Sequence, residues 1–229
     1  MQIDVLKKED LSAIENAVLD ESGRIIVHPT DFYKQFSRDL IRQFCHAHAF
    51  YLLPTAELIE FLDKILGKDK ARTIEIGSGN GSLGRALKIK RTDSWMQAVP
   101  EIKAHYEAMM QPTIKYGSDV LKIDAEAAIK KFRPKIVLGS WITQKWRPGD
   151  EEGNILGPDE NKFLKKIAIY IMIGNENIHG QKRILKNYRH DILESTHLVS
   201  RAADSSKDRI YVFYGKKYNL LDWRKECQK

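Results

Sequence analysis

The spacing of apolar residues along the chain changes near residue 70. Before that point, apolar side chains recur at three- and four-residue steps, which is typical of amphipathic helices. Segment 8–21 predicts one helix. Segment 30–50 predicts a second helix, with Thr30 or Asp31 near its N-cap, because short polar side chains cap the free N–H groups there.

A third helix is predicted between Pro54 and Gly67, since proline is favoured at helix starts and glycine after helix ends. The chain then changes to a different rhythm. We therefore expect residues 1–68 to form an N-terminal helical extension that packs on a second unit, residues 69–229.

From residue 72 onward, short apolar runs alternate with helical segments. This alternation predicts an α/β fold with a parallel sheet and helices on both faces. Two closing runs, 195–201 and 209–215, are separated by a short polar stretch and predict a C-terminal antiparallel hairpin. The five preceding strands are predicted at residues 72–77, 91–95, 119–124, 135–141 and 168–174.

The amino-acid composition adds little to this fold prediction, but it argues against several classes of protein. The chain has 229 residues, 42% of them hydrophobic, as in ordinary globular proteins. The apolar run 167–173 is too short to span a membrane and the N-terminus has no apolar signal core, so we expect a cytoplasmic protein. Cys45 and Cys227 lie far apart, which argues against a disulfide framework and a zinc site. No metal site is expected.

Charge points in two directions. The formal net charge is +7, and basic clusters at 88–91, 130–135, 181–190 and 215–229 suit either a polyanionic partner or simple solubility. The acidic loop 149–160 has the opposite effect. As a mobile lid it favours a cationic or neutral partner, and otherwise it is a solvated loop.

The stretch "ARTIEIGSGNGSLGRAL", residues 71–87, carries the chemistry. Between a strand and a helix, such a turn lets backbone N–H groups approach a ligand, and the helix start attracts anions. The segment from Gly79 to Gly84 matches G-x-G-x-x-G, the dinucleotide pattern. A bare turn with a salt-bridged Glu75 also explains it. However, Glu75 would repel a pyrophosphate and suits a cationic ligand instead.

Read from Glu75, the stretch becomes E-x-G-x-G-x-G and resembles the signature of class I S-adenosylmethionine-dependent methyltransferases. The resemblance covers roughly residues 70–215. It implies a Rossmann-like, doubly wound, mostly parallel sheet of seven strands, the last inserted antiparallel. It also implies that the methyl donor is bound by the turn, at Glu75, Gly77, Ser78, Gly79 and Gly81.

Later strand ends fit the same resemblance. Asp93, followed by Ser94, ends the second strand, where an acid can bind both ribose hydroxyls of either cofactor. The resemblance implies that Asp124 receives the adenine amino group and that the N–H of Ala125 meets the ring. Alternatively, Asp124 only caps the helix 125–132.

The fourth strand should end beside the methyl group, where ligands of open α/β sheets bind. Ser140, Trp141 and Thr143 are predicted to line that pocket, with Lys145 and Trp146 further toward the acceptor. The tryptophans are equally explained as lid packing. His179 could act as a general base at neutral pH, or be an ordinary loop histidine.

These residues predict a methyltransferase whose acceptor the sequence does not identify. The D/N-P-P-Y/F stretch of enzymes that methylate amino groups of bases is missing after strand four, and so is the Pro-Cys nucleophile of cytosine methylation. A small-molecule acceptor is slightly favoured over nucleic acid. Two alternatives stay open: a non-catalytic donor-binding module, and an NAD-dependent oxidoreductase based on the G-x-G-x-x-G pattern.

Overall fold

The structure is a computed structural model that describes residues 10–150 and 153–218. Nine strands lie in this part of the chain: β1 Leu52–Leu53, β2 Thr73–Ile76, β3 Lys90–Asp93, β4 Leu121–Lys122, β5 Ile136–Ser140, β6 Ile169–Asn175, β7 His190–Glu194, β8 Val199–Ser200 and β9 Asp208–Tyr214. The α-helices of the same part are α1 Ser12–Val18, α2 Arg38–Ala47, α3 Ala56–Leu66, α4 Ser82–Ala86, α5 Pro100–Ala108, α6 Ala125–Phe132, α7 Glu160–Phe163, α8 Glu176–His179 and α9 Arg183–Asn187. Short 3-10 helices lie at Thr30–Gln35, Gly67–Arg72, Met96–Ala98 and Ser205–Lys207.

Seven strands form one sheet in the order β4-β3-β2-β5-β6-β9-β7. All neighbouring pairs are parallel except those of β9, which runs antiparallel to both β6 and β7. The predicted doubly wound, mostly parallel sheet with an antiparallel C-terminal pair is therefore confirmed.

Helices cover both faces of this sheet. On one face, leucines of α3 and α4, among them Leu62 and Leu83, pack on Leu138 of β5 and Ile171 of β6. On the other face, Ile129 of α6 and residues from α7 and α9 pack on alternate strand positions. Because successive side chains of a strand point to opposite faces, the fully buried runs of β5 and β6 supply both cores.

The N-terminal segment contains helices, but not the single helix predicted over 30–50. The backbone is extended at Phe36, and the Ser37 side chain then caps α2 by accepting from the Leu40 N–H at 3.0 Å. The predicted N-cap at Thr30 or Asp31 is therefore wrong, because the first turn is a separate 3-10 helix. Thr55 caps α3, which ends at Gly67 as predicted.

The partners of the C-terminal hairpin also differ from the prediction. The sixth strand of the large sheet is β7, and the run 195–201 instead contains β8, which pairs antiparallel with β1 in a two-stranded sheet. This pairing joins the N-terminal segment to the second unit. The buried side chain of Val199 lies in the N-terminal core with Phe44 and Leu53. The division into two domains at residue 68 remains a prediction.

Candidate functional site

The strand order reverses between β2 and β5, and this point marks the candidate site. From β2 the chain continues toward β3 and β4, and from β5 it continues toward β6 on the other side. In open α/β sheets, ligands bind in the crevice at the carboxyl ends of the two strands at such a point. Two cavities meet here at Gly77, one of about 240 Å³ and one of about 60 Å³.

The glycines of the turn are required by close approach as well as by backbone conformation. Gly77 has a φ of +55°, and a Cβ there would lie 2.3 Å from Cδ1 of Ile142. Gly84 lies in α4, where a Cβ would lie 2.4 Å from Oε2 of Glu75. The last glycine of the stretch therefore makes room for the glutamate that precedes the first.

Glu75 is buried and has no cationic partner. Its side chain is 2% exposed, and Oε2 accepts from the Gly84 N–H at 3.0 Å. Within residues 10–150 and 153–218, no lysine or arginine forms an ion pair with it, since Arg85 and Arg91 pair with Asp119. Burial raises the pKa of Glu75 to about 8, although the Gly84 N–H and the charges of Arg91 and Arg85 partly oppose this. The salt-bridged alternative for Glu75 is therefore wrong.

Asp93 ends β3 beside the turn, as its position in the sequence predicts. Its Oδ2 accepts from the Gly79 N–H at 2.9 Å, and its Oδ1 accepts from the Trp95 N–H at 2.8 Å. Burial raises its pKa, and the two backbone donors oppose that rise. Each carboxylate oxygen has a second lone pair, so Asp93 can fix the turn and still accept from a ligand.

The larger cavity lies toward β4. Asp124 is exposed there and caps α6, with Oδ1 accepting from the Ala127 N–H at 2.9 Å, as the capping alternative predicts. Its role toward a ligand remains a prediction. The loop after β5 forms the opposite wall with Ile142, Lys145 and Leu156. The remaining lining includes Gly77, Ser94 and Ala125.

The smaller cavity lies between the glycine turn and the N-terminal segment. Glu75, Gly77, Ser78 and Gly79 line it together with Ser140 of β5, whose Oγ is buried without a hydrogen-bond partner. The opposite wall is formed by residues 49–52, which the sequence analysis missed. Residues 49 and 50 gave no signal because they fit the helix predicted over 30–50, and Tyr51 and Leu52 lie in the short stretch between that helix and Pro54. Gly81 lies further along the turn, directly before α4.

Trp141 and His179 contact each other beyond these cavities, with ring centres 5.5 Å apart. The Nδ1 of His179 accepts from the Asn175 N–H at 3.0 Å, and burial lowers its pKa to about 4. The same Nδ1 lies 3.2 Å from the Asn175 carbonyl, so the imidazole is neutral at pH 7 and held by the backbone at the start of α8, as a structural histidine is. Thr143 and Trp146 are exposed.

The acidic loop is tied down by ion pairs. Its described acids each pair with a nearby cation: Asp150 with Arg183, Asp159 with Arg147, and Glu160 with Lys182. Glu151 and Glu152 lie outside the described residues, as does Cys227. The described acids therefore present little unbalanced negative charge.

In the described ranges, no three His, Cys, Asp or Glu side chains are grouped to hold a metal ion. No helix of those ranges has the length and apolarity to cross a membrane. Cys45 is buried as a free thiol, whose pKa burial raises to about 12.

The fold and the site together define a Rossmann-like α/β protein with a ligand cleft over a glycine turn. No protein-family model and no curated protein matches the sequence. Among solved structures, the chain is similar to an rRNA methylase from Streptococcus thermophilus, with 10% identity, 69% of this chain and 93% of that chain covered, and a TM-score of 0.38.

Two other solved structures have comparable likeness. The 23S rRNA methyltransferase ErmE is 13% identical, with 75% of this chain and 72% of that chain covered and a TM-score of 0.42. The precorrin-6y C5,15-methyltransferase from Geobacter metallireducens GS-15 is 12% identical, with 71% and 89% covered and a TM-score of 0.37. At these identities the likeness is one of fold, and the fold class stands on the strand order itself.

Proposed function

We propose that the protein is an S-adenosylmethionine-dependent methyltransferase. The observation that carries this proposal is Glu75, a buried acid at the ligand cleft that forms no ion pair among the described residues. Burial keeps Glu75 protonated near neutral pH, and a ligand that brings a positive group favours its ionised form. A dinucleotide would instead bring a pyrophosphate close to this carboxylate.

The residues around the cleft fit the parts of such a donor. Ser140, with its unpartnered hydroxyl, and Glu75 would hold the amino acid end in the smaller cavity. Asp93 would bind the ribose, and Asp124 with the Ala125 N–H would receive the adenine in the larger cavity. Ile142 lines the larger cavity beside Gly77, which lines both, so its side chain bounds the space that a ligand spanning both would occupy.

When bound, the donor supplies an electrophilic methyl group on a sulfonium, whose carbon–sulfur electron pair stays on sulfur as the acceptor's lone pair bonds the carbon. The protein's contribution is to hold the acceptor in line with that methyl group, and positioning of this kind supplies much of a rate enhancement. Since His179 is buried and its Nδ1 is held by the Asn175 backbone, no general base is assigned.

Calorimetry with S-adenosylmethionine and its demethylated product tests the proposal. We expect micromolar binding of both and a loss of about tenfold or more in Asp93→Ala, which removes two ribose hydrogen bonds to a charged group. Asp69→Ala is the matched control, because Asp69 pairs with Lys135 at the amino ends of β2 and β5, away from the glycine turn at their carboxyl ends. Absence of binding for both compounds would refute the proposal.

A non-catalytic donor-binding module is the second candidate, favoured by the absence of an assigned general base. Donor binding without transfer of a labelled methyl group to any acceptor class would support it. Detection of transfer would exclude it. A thermal shift with NAD and none with the methyl donor would instead support the oxidoreductase alternative.

A further inference from the structure

A row of neighbouring planar side chains lies beside the smaller cavity, at the carboxyl end of β5. The guanidinium carbon of Arg201 is 3.7 Å from the centre of the Tyr51 ring. The Trp141 ring follows, 5.9 Å from Tyr51 between ring centres. All three side chains are partly exposed. We call Arg201, Tyr51 and Trp141 the stacking platform.

The platform is held by contacts between distant parts of the chain. The Arg201 N–H donates to the Tyr51 carbonyl at 3.3 Å, next to the β1–β8 pairing. The Tyr51 hydroxyl is hydrogen-bonded to Tyr106. Trp141 has a φ of +56°, a left-handed conformation that is uncommon for a bulky residue. Strained backbone of this kind gathers at ligand sites, where the surrounding structure keeps it in place.

Arg201 has no counter-charge. Among the described residues, no carboxylate lies within ion-pair distance of it, although most arginines near the cleft are paired. A guanidinium is always charged, stacks on flat rings and presents a fork of N–H donors that matches a phosphate. Aromatic rings and guanidinium planes are the surfaces on which unpaired bases stack.

The negative charge of the acidic loop 149–160 would repel a polyanion, but the described acids of this loop are neutralised by basic partners. Asp150, Asp159 and Glu160 each have a basic partner, and that of Glu160 is buried with it. The chain's net charge of +7 then acts in the direction of an anionic partner.

We infer that the acceptor is a nucleotide unit, free or within a single-stranded nucleic acid. Its base stacks on the platform, and its phosphate is bound by Arg201. This inference rests on the proposed methyltransferase function, because the platform adjoins the cavity assigned to the donor.

Fluorescence anisotropy with labelled 12-nucleotide single-stranded RNA and DNA tests the inference across a range of salt concentrations. In Arg201→Gln, we expect about tenfold weaker binding and a salt slope smaller by about 0.7, the value for one phosphate contact on a single strand. In Trp141→Leu, loss of stacking weakens binding by about tenfold with an unchanged salt slope. Competition by mononucleotides shows whether one unit suffices.

Arg189→Gln is the matched control. Its guanidinium lies 5.3 Å from the Tyr214 ring, the same kind of pair at the opposite edge of the sheet. Equal losses in Arg189→Gln and Arg201→Gln would overturn the inference, and so would better competition by 4-hydroxybenzoate than by mononucleotides. Calorimetry of the donor on wild type and Arg201→Gln separates the two proposals. Donor binding without binding of either oligonucleotides or mononucleotides refutes the acceptor alone, and absence of donor binding in the wild type refutes both.

Discussion

Two buried glutamates of this protein have opposite surroundings. Glu160 is 3% exposed, and one oxygen accepts from the Lys182 ammonium at 2.5 Å and the Tyr170 hydroxyl at 2.9 Å. Glu75 is 2% exposed and accepts from a single backbone N–H. The first carboxylate has its cation within the fold. Glu75 forms no ion pair among the described residues, and burial raises its pKa to about 8. The difference indicates that Glu160 stabilises the fold, whereas Glu75 is available to bind a ligand.

The largest effect is expected when Glu160 loses its cation. Lys182→Met leaves an uncompensated buried carboxylate and should lower the free energy of unfolding by about 3–5 kcal/mol. Chemical denaturation measures the loss. The control is Lys162→Met, which removes the exposed pair with Glu126 and should leave the midpoint near that of the wild type. Equal midpoints for the two variants would contradict a structural role of the buried pair.

Glu75→Gln should lower ligand affinity and leave stability unchanged, the opposite of what is expected for Lys182→Met. Loss of the charge should weaken binding of S-adenosylmethionine by about 2 kcal/mol, or roughly thirtyfold in Kd. The ligand-free variant should be no less stable than the wild type at pH 8, because folded Glu75 keeps a proton that the unfolded chain loses. Its raised pKa makes wild-type stability fall by about 1.4 kcal/mol per pH unit between the unfolded pKa and about 8. A large loss of stability without a loss of affinity would assign Glu75 to structure.

The pH dependence of binding sharpens the comparison further. A cationic ligand favours ionised Glu75, so affinity should rise by up to about tenfold per unit between roughly pH 6 and pH 8, then level off. Calorimetry in two buffers of different ionisation enthalpy should show a proton released on binding. Glu75→Gln should have a flatter profile, and a wild-type affinity that falls with pH would contradict the assignment.

Asp124 is an intermediate case, an exposed acid that already caps α6. Asp124→Ala should cost roughly 1 kcal/mol of stability, whereas Asp124→Asn keeps the cap at little cost. If Asp124 also receives an adenine amino group, the asparagine variant retains stability but has lower donor affinity, since its amide is a weaker acceptor. Unchanged affinity in Asp124→Asn would leave only the capping role.

The sequence predicted the parts of the fold that depend on local pattern. Apolar runs alternating with helices predicted the parallel sheet, and the resemblance supplied its strand order. The sixth strand was misplaced because β7 lies at the sheet edge with mostly exposed side chains, and so lacks a clear apolar pattern. The break between Gln35 and Arg38 was missed because a 3-10 turn followed by an α-helix preserves a nearly helical spacing.

For the candidate site, sequence reasoning reached the residues that follow strand ends. Glu75 and Ser140 line the smaller cavity, and Asp93 accepts from the N–H of Gly79 in the turn that lines it. The spacing of residues along the sequence does not predict which distant segments pair with each other. The wall at residues 49–52 and the stack of Arg201 on Tyr51 exist only because β1 pairs with β8. No local pattern in either segment indicates that partner.

That pairing also has a consequence for how the chain reaches its native state. During synthesis, Leu52 and Leu53 leave the ribosome well before Val199 and Ser200, the residues with which they pair. Contacts of such long sequence separation form late, since the intervening chain must first be ordered. The apolar side chains of the N-terminal segment that pack on β8 therefore stay exposed to solvent while the following residues are synthesised. Nascent chains of this protein should depend on chaperones until residue 200 has emerged.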